Sequence, residues 1–355
     1  MDVDTAAEVI IRREGRAGRI TLNRPKALNA LTLGMVRAIW KAMLAWQDDP
    51  AIELVLLDGS GDRAFCAGGD VRWLYDSRVN GSADARTFWS EEYRLNALIG
   101  RYPKPCVAFM DGIVMGGGIG LSAHGRHRIV TERSQLAMPE TGIALIPDVG
   151  GTWLLSRAPG ETGAYLGLTG ERMRGAGTMY ARFADTFVPS AHLGDLAAAL
   201  CEAKAADVAA TIQGFAGTPP ASELAQRAGL INRAFRFDTV EEILAELRSI
   251  GGDWAEKTLS ELATKSPLSL KLTLAAIRNA RKLDSLEAAL NVEYRLCVRL
   301  FEHGEFIEGV RALIVDKDRR PKWNPPRLED VQPSLVAEWL SPLPPPEELG
   351  LRAPG

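Results

Sequence analysis

An α/β fold followed by a helical C-terminal region is predicted for this 355-residue chain. Three observations predict it. Several strands are apolar throughout, glycine-rich turns and helices follow them, and beyond about residue 235 only helical periodicity remains. Continuously apolar strands lie inside sheets covered on both faces. Their interleaving with helices favours layered α/β packing over a β-sandwich.

The chain opens on a hairpin: Glu8–Arg13, a turn at Glu14-Gly15-Arg16-Ala17-Gly18, then Arg19–Leu22. After the loop NRPKALNALT comes a helix capped by Thr32, with Val36, Ile39, Trp40, Met43 and Gln47 on a largely apolar stripe. Leu54–Leu57 is a strand ended by Asp58-Gly59-Ser60-Gly61, and Val107–Met110 follows Pro105 in the same manner. Strand, glycine turn and helix recur around 54–75, 107–124 and 129–158, as in a core built from similar turns. Past residue 235, DTVEEILAELRSI, SLKLTLAAIRNAR and DSLEAALNVEYRLCVRLF are helical by period. The last carries a capping box from Asp284 to Glu287 and a buried stripe of Leu286, Leu290, Tyr294, Cys297, Val298 and Phe301. The proline-rich end is expected to strap over the surface and fray. The predicted division is therefore 1–235 for the α/β core and 236–355 for the helical region with its tail.

Composition narrows the function classes. Hydrophobic content of 46% and charged content of 25% are globular values that argue against disorder. A net charge of −3 without a basic block argues against nucleic acid as a partner. Arg24, Lys26 and Arg72 remain available to a phosphorylated small molecule. The apolar stretches are too short to span a membrane. The start MDVDTAAEVIIRREG, with acids at positions 2 and 4, is unlike a secretory signal or an Arg-rich transit peptide. Cys66, Cys106, Cys201 and Cys297 lie far apart without CxxC spacing. Reduced thiols and a cytoplasmic location are expected, with no metal site.

Chemistry concentrates between Met110 and Gly151, in MDGIVMGGGIGLSAHG and LAMPETGIALIPDVGG. The run Gly116-Gly117-Gly118 lets bare N–H groups face a ligand at a helix start. Earlier, AFCAGGD turns from a strand towards a helix near Asp70, aiming the Cys66 N–H at a ligand oxygen; Asp70 as an ordinary cap is the simpler alternative. Gly118-Ile-Gly120-Leu-Ser-Ala123 also satisfies the dinucleotide pattern GxGxxA, but DGIVMG separates it from its strand, unlike a Rossmann turn.

Three acids stand out. Glu140 follows Pro139 in apolar surroundings, where a carboxylate needs a partner or a purpose. Asp148 follows Pro147 and precedes VGGTWLLSRA, so a helix cap competes with a chemical role. Glu92 falls on the stripe of Phe88, Leu95 and Ile99, either buried there or snorkelling to water from its edge. Donors for a developing negative charge, together with acids that move protons, point to an enzyme acting on a carbonyl.

AFCAGGDVRWLY, MDGIVMGGGIGLS, AMPETGIALIPDVGGTWLLSR and FIEGVRALIVDKDRRPKW together resemble the crotonase (enoyl-CoA hydratase/isomerase) superfamily. MPETGI…PDVGG and DKD…PKW resemble its 3-hydroxyisobutyryl-CoA hydrolase branch. The resemblance runs from about Val9 to Val331. It implies a spiral of repeated ββα turns that binds an acyl-CoA, with the thioester carbonyl in an oxyanion hole formed by the N–H groups of Cys66 and Gly117. It further implies substrate binding by Glu92, Gly117, Glu140 and Asp148, with Glu140 and Asp148 catalytic. Glu140 would attack the thioester or activate a water, and Asp148 would hold the substrate hydroxyl. Hydratases of the superfamily usually carry a further glutamate at the position of Gly120, besides the one matching Glu140, and its absence here suits hydrolysis better than hydration. The expected reaction is hydrolysis of a short 3-hydroxyacyl-CoA, foremost 3-hydroxyisobutyryl-CoA in valine degradation, with CoA as part of the substrate and no separate cofactor. A hydratase or isomerase on the same fold, or a non-catalytic acyl-CoA binder, is the alternative. Relatives of this kind often form trimers or hexamers.

Overall fold

The computed structural model describes residues 7–81 and 84–353; the acids at positions 2 and 4 and the last two tail residues lie outside them. The chain divides into two compact units, each assembled from three stretches. The first comprises 1–70, 94–137 and 173–224, and the second 71–93, 138–172 and 225–355.

All described strands belong to the first unit. Strands β1 (Val9–Glu14) and β2 (Ala17–Leu22) form the expected antiparallel hairpin. Helix α1 (Leu33–Gln47) begins at the Thr32 cap, whose hydroxyl accepts from the Met35 N–H at 3.2 Å. Then the strands alternate between two sheets. β3 (Leu54–Gly59), β5 (Cys106–Met110), β7 (His127–Val130) and β9 (Thr186–Phe187) extend the hairpin into a six-stranded sheet of order β1-β2-β3-β5-β7-β9. β4 (Ala64–Cys66), β6 (Ile113–Met115) and β8 (Gln135–Ala137) form a second sheet of order β4-β6-β8. After the hairpin the described pairings between these strands are parallel. Each strand pair thus gives one strand to each sheet before the chain passes on, which is a spiral of ββα turns.

The apolar strands are apolar for the reason predicted. Leu54, Leu56, Val107, Phe109 and Ile129 pack with Leu196 and Leu200 of the helix Leu193–Glu202 and with Val208 and Ile212. Val55, Leu57, Ala108 and Met110, on the opposite face, are buried as well. Along these runs neither face meets water, which is why they alternate with no polar residue.

The second unit is helical among its described residues. Helix α2 (Val71–Val79) opens it, followed by α3 (Asp84–Gly100), whose residues up to Tyr93 belong to this unit. Beyond residue 235 the described residues form helices and no strand. The long helix Leu286–His303 is capped by Ser285, which accepts from the Ala288 N–H at 3.1 Å. The cap therefore sits one residue beyond the predicted Asp284, because the serine hydroxyl reaches the third N–H of the turn.

Candidate active site

In the first unit, Cys66 and the glycine run stand side by side because of strand register. β4 and β6 are parallel neighbours, with Cys66 opposite Val114. Both chains leave the sheet at the same end, and Gly117 opens helix α4 (Gly117–Ser122) three residues beyond Val114. The spacing between the two turns is set by Gly118. A Cβ there would lie 2.3 Å from the Cys66 carbonyl oxygen, so only glycine permits this approach. Gly117 and Gly118 are also the first residues of α4, where N–H groups have no carbonyl one turn back to bond. Gly118→Ala is expected to push the turns apart, destabilising the fold by about 1–3 kcal/mol and impairing turnover of the folded protein. Full activity with an unchanged melting curve would show that the spacing does not matter.

In the second unit, the structure brings Glu92, Glu140 and Asp148 together. Their exposures are 2%, 5% and 5%, so Glu92 does not snorkel to water. Its place on α3 is fixed by the aromatic residues around it. Trp89 packs edge-on against Phe301 at 5.5 Å, and Tyr93 against Tyr294 at 6.3 Å. Glu140 starts a single 3-10 turn, Glu140–Ile143, after Pro139. That turn is clamped on several sides. Thr141 donates to the Leu168 carbonyl at 3.2 Å, Ser269 to the Leu145 carbonyl, and Gly309 packs where a Cβ would meet the Ile143 backbone at 2.5 Å.

Asp148 is not a helix cap. Helix α5 (Gly151–Ser156) has Gly150 at its N-cap, with no side-chain bond from there. The groups that a cap would satisfy go instead to Glu293: its carboxylate accepts from Gly150 N at 2.6 Å, from Thr152 N at 2.8 Å and from the Thr152 hydroxyl. Asp148 is left to Tyr93, whose hydroxyl donates to Oδ2 at 2.6 Å and lies 3.2 Å from the Cys297 thiol sulfur.

Electrostatics follow from burial and from crowding of like charge. Desolvation, then the Asp148 charge, pushes both Glu92 and Glu140 well above the ordinary carboxyl range. Desolvation lifts Asp148 to about 6, opposed by the bond from Tyr93. Glu293 rises to about 8 through burial, despite its three bonds. Glu92 Oε1 and Glu140 Oε2 are buried without a hydrogen-bond partner. Two orphan carboxyl oxygens in one buried cluster are expensive for a fold and useful for a substrate that brings hydroxyl, carbonyl or water to them.

The same shifts predict a pH-dependent stability. Each of these carboxyls has a folded pKa above its unfolded value, so the folded state binds more protons. Their contribution is full below the unfolded values and is lost as pH rises through the folded ones. The melting temperature is therefore expected to fall between about pH 5 and pH 8. A steady rise across that window would mean that the cluster ionises freely.

Tyr93 and Glu293 were not among the predicted site residues. Glu293 had a readable signal, since it lies three residues after Leu290 and four before Cys297 on their apolar stripe. Cys66, Cys106, Cys201 and Cys297 are all buried and unbridged. Burial pushes the Cys106 thiol up to about 12.

The family described as enoyl-CoA hydratase/isomerase matches residues 17–340. A curated relative from Xenopus tropicalis, named 3-hydroxyisobutyryl-CoA hydrolase, mitochondrial, is 43% identical over 95% of this chain and 89% of its own. The Homo sapiens protein of the same name is 40% identical over 92% and 87%. Two solved structures superpose with a TM-score of 0.91 at 45% identity. One is described as a carnitinyl-CoA dehydratase from Mycobacterium thermoresistibile, covering 96% of this chain and 98% of that one. The other is described as an enoyl-CoA hydratase from Rhodobacter sphaeroides 2.4.1, covering 97% and 100%. The chain belongs to the enoyl-CoA hydratase/isomerase (crotonase) family, alongside the relatives named 3-hydroxyisobutyryl-CoA hydrolase.

Proposed function

We propose that this protein hydrolyses a short-chain 3-hydroxyacyl-CoA thioester, foremost 3-hydroxyisobutyryl-CoA, to the free acid and CoA, as a step of valine degradation. The observation that carries the reading is the buried trio of Glu92, Glu140 and Asp148. These are the acids that the hydrolase branch resemblance assigns to substrate binding, and two of them keep an unpartnered oxygen.

The N–H groups of Cys66 and Gly117 are proposed to receive the thioester oxygen as it becomes an oxyanion. Such donors are typically worth about 3–4 kcal/mol each in the transition state. Glu140 acts in one of two ways. As a nucleophile, its carboxylate attacks the carbonyl carbon and the C–S bond breaks with its electron pair leaving on the CoA sulfur. Water then hydrolyses the mixed anhydride, restoring the Glu140 carboxylate and supplying the proton that makes CoA the free thiol. As a general base, it takes a proton from a water that attacks the same carbon, the C–S bond breaks, and CoA leaves as the thiol by taking that proton from Glu140. Asp148 accepts the 3-hydroxyl of the substrate and assists the proton transfer, and Glu92 completes the polar lining. The acyl-CoA is the partner and brings CoA with it, so no separate cofactor is part of the proposal. Assembly into trimers or hexamers is proposed from the resemblance and is read by light scattering.

A second reading is hydration or dehydration on the same fold, favoured by the descriptions of the two solved structures at 45% identity. Against it stands Gly120, where hydratases of the superfamily usually hold a glutamate. The deciding experiment measures CoA thiol release from a panel of short acyl-CoA esters, with crotonyl-CoA hydration followed in parallel. Thiol release highest on 3-hydroxyacyl esters, undiminished by EDTA, is expected. Fast crotonyl-CoA hydration without thiol release would replace the hydrolase reading by the second one.

A further inference from the structure

Glu293 is the most buried carboxyl of the cluster, with 0% exposure, and the reaction proposed above gives it no part. Its three bonds all go to one short turn, through Gly150 N, Thr152 N and the Thr152 hydroxyl. That turn begins at the residue after Asp148. Val149 there has φ +53°, the left-handed region that a β-branched side chain rarely adopts, and Gly150 follows at φ +80°. Such a conformation persists only where its surroundings over-determine it. The Asp148 carbonyl accepts from Gly151 N at 2.6 Å, so the aspartate backbone is tied into the same turn.

We propose that Glu293 is a positioning residue: by binding the N–H groups of Gly150 and Thr152 it holds the strained turn after Asp148, and so fixes the direction of the Asp148 carboxylate. The side chain of Asp148 has its own tie, the hydroxyl of Tyr93 at 2.6 Å. The backbone anchor comes from Glu293 on one helix and the side-chain anchor from Tyr93 on α3. Together they leave the aspartate one orientation. The inference rests on the substrate-binding role proposed for Asp148.

The test is a double-mutant cycle read on kcat and KM for 3-hydroxyisobutyryl-CoA. Glu293→Gln keeps the shape but places an amide donor where an oxygen accepted, so the turn loses part of its anchor. In the wild-type background it is expected to lower kcat at least about tenfold with KM changed less than about threefold. In the Asp148→Asn background the same substitution is expected to change kcat by less than about twofold, because it acts through Asp148. A loss by the same factor in both backgrounds would make Glu293 a general structural residue and overturn the proposal, as would unchanged kcat of the folded single mutant. Should Glu293→Gln not fold, Thr152→Val removes one bond alone, and its cycle decides: loss in the wild type only supports the proposal, and equal losses overturn it. Normal turnover by Asp148→Asn itself would overturn the role of Asp148 and this inference together. A slow Asp148→Asn with additive losses would overturn the inference alone.

Discussion

Replacing Glu140 by glutamine is expected to lower kcat at least about a hundredfold, the loss typical of a missing acid, base or nucleophile. Two features of the site make the effect catalytic rather than structural. The side chain is held by its own turn, since Oε2 has no partner, its carboxyl accepts a hydrogen bond from its own backbone, and the clamps act on Thr141, Leu145 and Ile143. Glutamine fills the same volume and keeps the turn. Glutamine also removes a group whose ionisation burial and the Asp148 charge oppose. The mutant should therefore melt no lower than the wild type at pH 8, where the wild-type acids are being forced to ionise. CoA affinity is expected to stay within about twofold, since the change removes a reacting group and leaves ground-state contacts. Because Glu140 must give up its proton to act, wild-type kcat should climb with pH through a range well above that of an ordinary carboxyl. Near-normal turnover by Glu140→Gln would mean that the buried acid serves the fold.

The sequence exposed those parts of the molecule that local chemistry determines. Continuous apolar runs at Leu54–Leu57 and Val107–Met110 marked sheet interiors, and both faces of those strands are indeed buried. Thr32 was legible as a cap because its bond partner lies three residues away. The isolation of Glu140 among apolar residues was legible too, and it is buried with an orphan oxygen. Long-range partners were hidden. Nothing near Gly150 in the chain announces that its N–H bonds a carboxylate 143 residues on. For that reason Asp148, the nearest acid, looked like the cap that Glu293 supplies from a distant helix. The alternation of strands between two sheets was equally hidden in β4, β6 and β8, which are only three residues long. Segments that short carry too little periodicity to be distinguished from loop. The two compact units are interleaved along the chain, and the last described strand ends at Phe187, well before the change of composition near residue 235.

Asp148→Asn is the second large effect expected, and the structure makes its interpretation clean. A cap residue replaced by asparagine keeps its function and its stability, so under the cap reading both melting temperature and turnover would survive. Here α5 is capped by Glu293, and Asp148 makes its side-chain bond to the Tyr93 hydroxyl. Asparagine can still accept that bond through its carbonyl oxygen, and the fold loses a buried charge rather than a contact. The mutant is therefore expected to melt within a few degrees of the wild type. Turnover of 3-hydroxyacyl-CoA substrates should nevertheless fall by roughly a hundredfold, the low end of what a positioned proton-handling group contributes. Substrates that lack the 3-hydroxyl should lose less, because the missing partner is the one proposed to hold it. The sign of the pH effect gives an independent check. The Asp148 charge is a cause of the raised pKa of both Glu92 and Glu140. Removing it lets Glu140 ionise more readily, so the acid limb of kcat should move to lower pH while the plateau drops. A lower melting temperature with turnover preserved would return Asp148 to a purely structural role. An acid limb that stays in place would show that its charge does not reach Glu140.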